Sequence, residues 1–121
     1  MGVSIDDVRV FAATLPRAYE VLVRDRVKFR VGRIVFVAFS RDETMMGFAS
    51  PKEGRDALVA GEPHKFLLPR ERDLRYHWVV VRLDAIELDE LHELVLDAWL
   101  MVVPKGVGAA RLAQGVDGSS A

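Results

Sequence analysis

Cysteine is absent from the 121-residue chain, which excludes disulfides, thiolate metal sites and cysteine nucleophiles together. A dominant sign of charge is missing too. Lys and Arg number 17 against 18 Asp and Glu, for a net charge of −1. No global basic field marks a nucleic-acid protein, so any such signal has to be a local patch. Long apolar runs are lacking as well: stretches such as Ala98–Val103 fall far short of the ~20 residues that a spanning helix needs. No charged-then-apolar leader opens the sequence, and Asp6 stands where a myristoylation signal after Gly2 wants Ser or Thr. A cytoplasmic protein with no membrane partner is expected, and the length suits one domain with a single core.

What is present is organised around Leu74–Leu83, a stretch apolar on both faces. Tyr76, Trp78 and Val80 alternate with His77, Val79, Val81 and Leu83, the pattern of a strand inside a sheet. Upstream, Ser4 and Asp7 have the spacing of a capping box, and Val8, Phe11, Ala12 and Leu15 share a helical face that Pro16 ends. The period then falls to two. A short strand over 20–23 precedes a hairpin whose arms, Val27–Val31 and Ile34–Phe39, flank a Gly32-Arg33 turn of type II′. With a two-residue loop, Val27, Phe29, Val31, Ile34, Phe36 and Ala38 face the core. Arg26, Lys28 and Arg30 then share the other face with Val35, Val37 and Phe39.

Thr44–Ala49 reads as a further strand, and Ser50-Pro51 caps a second helix that Gly61 closes. His64–Leu68 is a strand and Pro69–Asp73 a charged turn. A last helix over 87–103 carries a stripe of Leu88, Leu91, Val95, Ala98 and Val102, widened by Leu94, Trp99 and Met101. The order α-β-β-β-β-α-β-β-α predicts an α+β fold, an antiparallel sheet with helices packed on it, over residues 1–105. Residues 106–121, rich in Gly, Ala and Ser, read as a flexible and dispensable tail.

This chain resembles the MmcQ/YjbR family of small bacterial proteins over roughly Val3–Lys105. The likeness rests on the opening helix ending in Leu15-Pro16, the Phe29-Arg30-Val31-Gly32 hairpin running into Ile34-Val35-Phe36, the His77-Trp78 strand, and the terminal helix with Leu91, Leu94, Asp97-Ala98-Trp99 and Val102. Ala98-Trp99 stands where the family usually has Ser-Tyr, so no role of that hydroxyl carries over. The Gly-rich tail lies where the family implies further helix. The resemblance implies a compact α+β fold, also similar to that of type III secretion chaperones. It also implies a DNA-binding label based on two hairpin wings touching the duplex, and it supplies no catalytic residues.

Three function classes follow. Arg24, Arg26, Lys28, Arg30 and Arg33 form a basic ribbon suited to the phosphates of double-stranded DNA, with Arg33 at the hairpin tip; the plain alternative is a solvated edge hairpin kept from aggregating by its charges. Lys65, Arg70, Arg72 and Arg75 form a second basic group diluted by Glu71 and Asp73. The competing class is a protein-interaction module, a homodimer or partner docking on Val35, Val37 and Phe39 beside the arginines. The third is a small-molecule enzyme with His77 and Trp78 contacting a ligand in a cleft, against the plainer reading of His77 as partly buried and hydrogen-bonded to backbone. No nucleophile elbow is present, so no catalytic residue and no cofactor are expected. Asp89 and Glu93 sit badly about His92 for chelation, so no metal is expected either.

Overall fold

The computed structural model describes residues 2–120 of the chain, with side chains through residue 114. The capping box forms as its spacing predicts: Ser4 Oγ accepts the Asp7 N–H, and the Asp7 carboxylate accepts the Ser4 N–H at 2.9 Å. Helix α1 (Ile5–Ala12) is followed by strands β1 (Ala18–Val23), β2 (Arg26–Val31), β3 (Ile34–Phe39) and β4 (Met45–Ala49). Then come α2 (Arg55–Gly61), β5 (Phe66–Leu67), β6 (Trp78–Arg82), α3 (Leu88–Leu100) and α4 (Lys105–Ser120). The fold is α+β in the predicted order, with one helix added at the end. All six strands pair antiparallel in the order β1-β2-β3-β4-β6-β5, which puts β6 inside the sheet.

Helix α3 lies across β3 and β4 with α1 beside it, and together they cover one face of the sheet. Between them and the strands lie Val8, Phe36, Met46, Val79, Val81 and Leu91, all without solvent exposure. Each such side chain stabilises the fold by roughly 1.5–3 kcal/mol. Trp99 is fully buried and donates its indole N–H to the Pro16 carbonyl at 2.9 Å, tying the end of α3 to the exit of α1.

The β2–β3 hairpin turns where expected. Gly32 takes φ +60°, the left-handed region that its position in a type II′ turn needs. The register expected from it holds at Val31–Ile34 and Arg30–Val35. Beyond that a bulge shifts the pairing to Phe29–Val37 and Lys28–Ala38, so Phe36 is the extra residue. A bulge reverses the alternation downstream of it, and Phe36 and Val37 are consecutively buried. The face assignment beyond the bulge is therefore corrected: Val37 and Phe39 are core and Ala38 points to the other face, while Ile34, paired with Val31 beside the turn, is exposed.

Other expectations shift as well. Ser50 does not cap a helix; its N–H bonds the His77 carbonyl, and a 3-10 turn at Lys52–Gly54 intervenes before α2. The strand around His64–Leu68 shortens to β5, and Leu88 at the start of α3 and Met101 just past its end prove exposed. The largest correction is the tail, which is helical over Lys105–Ser120. Its glycines suggested a loose segment, yet Gly108 is buried against Leu100, whose Cδ2 would stand 2.9 Å from an added Cβ. Here glycine allows a close approach of α4 to the end of α3. Val107 packs on the core, and Arg111 stands 6.0 Å over the Phe11 ring while bonding Thr14 Oγ1 at 3.3 Å.

Phe36→Ala should cost about 3–5 kcal/mol as a truncation in a closed core, read from denaturant midpoints. Truncation after Lys105 should lower stability by about 1–2 kcal/mol through loss of the Val107 and Arg111 contacts. An unchanged melting temperature would mean that α4 contributes nothing to the core.

Candidate functional site

The sheet face away from α1 and α3 is open, and the strand register determines what lines it. One row crosses the whole sheet: Val21, Lys28, Ala38, Gly47, Val80 and Leu67 are successive partners. Small side chains in its centre leave a groove of about 750 Å³, within the usual range of roughly 300–1,000 Å³ for ligand sites. Ala38, Gly47 and Ala49 form the floor. Trp78 and Tyr76 stand on one side and Arg26 and Lys28 on the other, with Arg70 and Asp73 at the basic end.

Trp78 is half-buried, and its indole lies over Gly47, its diagonal neighbour across the β4–β6 ladder. A Cβ on Gly47 would stand 2.8 Å from Cε2 and Cζ2 of that ring, so only glycine lets the indole lie there. Unlike Trp99, Trp78 makes no hydrogen bond through its indole N–H among the described residues. His77 also lines the groove, although alternation placed it on the opposite face from Trp78. It precedes β6 proper, where alternation does not apply. His77 is exposed, and its Nδ1 accepts the Lys52 backbone N–H at 3.0 Å, which puts the neutral ring's proton on Nε2.

The wall carrying Tyr76 and Trp78 is held by a residue that sequence reasoning missed. Arg55 of α2 is buried, and its guanidinium donates to the carbonyls of Leu74 at 2.7 Å, Tyr76 at 3.0 Å and Trp78 at 3.2 Å. Carbonyl dipoles, rather than a carboxylate, satisfy this charge, and its Nε has no partner. Nothing in a helix of thin apolar content distinguishes Arg55 from a solvated arginine, so no sequence signal pointed to it.

A second concavity of about 280 Å³ opens beside the basic end of the groove. Arg24, Arg26, Lys28, Arg41, Arg70 and Arg72 line it together with Val23. Arg70 approaches Asp73 at 3.4 Å. Among the described residues the other five make no ion pair. Asp42, in the same turn as Arg41, is engaged locally: hydrogen bonds from the Ser40 and Thr44 hydroxyls hold its carboxyl below the usual range. Arg24 and Asp25 both adopt positive φ, 51° and 67°. That is the type I′ geometry usually given to Asn-Gly, and it costs non-glycine residues of order 1 kcal/mol each.

The predicted ribbon is thus divided. Arg24, Arg26 and Lys28 enter the crevice. Arg30 lies further along β2, half-buried with its Nε unpartnered, and Arg33 stands exposed at the far hairpin tip. Lys28 is half-buried too, rather than freely exposed, because the open face is concave. Of the second group, Arg70 and Arg72 join the crevice, whereas Lys65 is paired at 3.0 Å with both Glu62 and Glu90 and Arg75 lies 4.8 Å over the Tyr76 ring. Arg41 was overlooked as a turn residue. In an antiparallel meander the β1–β2 and β3–β4 turns lie at the same end of the sheet, and that was the available signal. The apolar docking surface expected from Val35, Val37 and Phe39 does not form, because the bulge buries the last two. His92 stacks on Phe11 at 4.4 Å, and among the described residues no three His, Asp or Glu side chains converge as for a metal ion.

An antiparallel sheet with helices on one face and a basic, partly apolar groove on the other defines a small α+β domain. The chain belongs to the YjbR family, whose model matches residues 13–101. It is 44% identical over 57 residues to an uncharacterized protein of Mycobacterium tuberculosis, Rv2570, and equally to Mb2600 of Mycobacterium bovis. That match covers 47% of this chain and only 43% of the length of those relatives. The crystal structure of Deinococcus radiodurans protein DR2400, with a DUF419 domain, superposes with a TM-score of 0.73 at 23% identity, covering 85% of this chain and 80% of that one. This likeness concerns the fold. No helix among the described residues is long and apolar enough to cross a membrane.

Arg55→Leu should destabilise the protein by roughly 2–4 kcal/mol, since it orphans three carbonyls and loses charge-assisted hydrogen bonds. Trp78 emission should shift to the red as the wall loosens. Wild-type stability and spectrum in this variant would remove Arg55 from its positioning role.

Proposed function

We propose that this protein is a non-enzymatic nucleic-acid-binding domain whose phosphate contacts lie in the basic crevice at one end of the open sheet face. The carrying observation is the convergence of Arg24, Arg26, Lys28, Arg41, Arg70 and Arg72 from three separate chain segments on one concavity. Like charges repel, so gathering six cations, five of them without an ion-pair partner, costs stability unless an anion occupies the site. Clustered Arg and Lys in a concave surface suit a chain of phosphates better than a single small anion, because successive charges are spread over a crevice rather than focused on a point. The nearly neutral net charge makes binding local and weak at high salt.

Catalysis receives no comparable support. His77 uses Nδ1 to accept a backbone N–H, and among the described residues it makes no contact with a serine hydroxyl that a base would activate. The protein acts by binding, with nucleic-acid phosphates held between the β1–β2 and β3–β4 turns that border the crevice.

The test is a titration of mixed-sequence nucleic acid by anisotropy at several salt concentrations. With three to five phosphates neutralised, log affinity should fall against log salt with a slope of about −3 to −4. Arg26→Ala/Lys28→Ala should weaken all sequences alike and flatten the slope by about one to two units. Arg33→Ala should leave both unchanged, since Arg33 lies outside the crevice. Equal binding by wild type and the double variant, or an effect confined to Arg33→Ala, would contradict the assignment.

A further inference from the structure

The crevice shares Arg26, Lys28 and Arg70 with the apolar groove, so the two concavities form one amphipathic site rather than two. On the reading that the crevice takes phosphates, we infer that the groove seats an unpaired base, and that the occupant is a single strand with its base against Trp78 and its phosphate on the Arg26–Lys28–Arg70 side. A duplex presents phosphates and stacked, paired bases, and it has no use for an apolar recess next to its phosphate contacts. A single strand offers both groups on every nucleotide, and aromatic platforms beside cationic tracks are the usual way to hold one.

The recess is also shaped for a planar group. Ala38 and Ala49 carry little side-chain volume, and the Trp78 indole lies on Gly47 of the neighbouring strand, so that the ring itself forms one surface of the recess. Lys28 and Gly47 are separated by two strand spacings, about 10 Å, with Ala38 between them. A base on the floor near Trp78 therefore has its sugar-phosphate within reach of the long Lys28 and Arg26 side chains. Arg55 fixes the backbone carrying Trp78 and Tyr76 through three carbonyls, so the platform is preorganised.

The experiment compares four ligands on the full chain at one low salt concentration: a duplex, a single strand of the same length, an abasic single strand with the same phosphates, and a mononucleotide. Two readouts are followed, anisotropy of the labelled strand and tryptophan emission. Trp99 is sealed in the core, so a quench reports Trp78. The single strand should bind about tenfold or more tightly than the abasic strand and the duplex, with quenching. Trp78→Leu keeps apolar volume without the ring and should lose that preference while retaining salt-dependent residual binding. Gly47→Ala, which displaces the indole, should do the same, with melting curves checking that both variants fold. Equal binding of all three polymers, with normal salt dependence, overturns the base seat and leaves the phosphate crevice standing. Binding to none of them removes both. A mononucleotide that binds as tightly as the strand overturns the strand as occupant.

Discussion

The architecture depends on one extra residue in β3. The bulge at Phe36 lets Phe36 and Val37 both enter the core and returns Phe39 to it, while Ala38 turns outward. In a regular ladder Val37 and Phe39 would stand on the open face and fill the space that is now a groove, and Ala38 would leave a void under α3. Core packing on one side and concavity on the other are thus two results of the same irregularity. Bulges recur beside functional surfaces because they re-aim side chains without breaking the sheet.

The rest of the open face is built to match. Gly47 and Ala49 continue the shallow floor that Ala38 begins, and the long side chains stand at its borders. Arg55 supplies rigidity from behind, its guanidinium engaging the carbonyls of Leu74, Tyr76 and Trp78 as the chain enters β6. The basic corner follows from topology, since two tight turns and the 3-10 turn at Glu71–Asp73 bring their cations to one crevice. The strained Arg24-Asp25 turn is the local cost of placing an arginine, rather than glycine, at that corner.

Much of this was legible in the residues. Periodicity, the Ser4–Asp7 cap, the Gly32 turn and the His77-Trp78 strand predicted the order of elements and the interior place of β6. Alternation failed where it must, at a bulge that no composition signal marks, and the docking surface expected from Val37 and Phe39 vanished with it. The tail was misread because its Gly, Ala and Ser content and scant apolar periodicity suggested a loose segment, whereas Gly108 admits Leu100 at close range. The site was half visible. The β2 cations and Trp78 were identified, but their convergence on one groove, the contribution of Arg41 and the Arg55 clamp depend on how the strands pair, which sequence spacing alone does not encode.

The central claim is that one face of this sheet, and not the helical face, receives nucleic acid. Backbone amide chemical shifts of the isotopically labelled chain, followed while a short single strand is added, test it most directly. The account predicts progressive shifts at Arg24–Lys28, Ala38–Arg41, Gly47, Arg70–Asp73 and Trp78, together with the Trp78 indole N–H, and none on α1 or the exposed side of α3. Shifts confined to the helices or to the Arg33 hairpin tip, or no shifts at low salt, would contradict it.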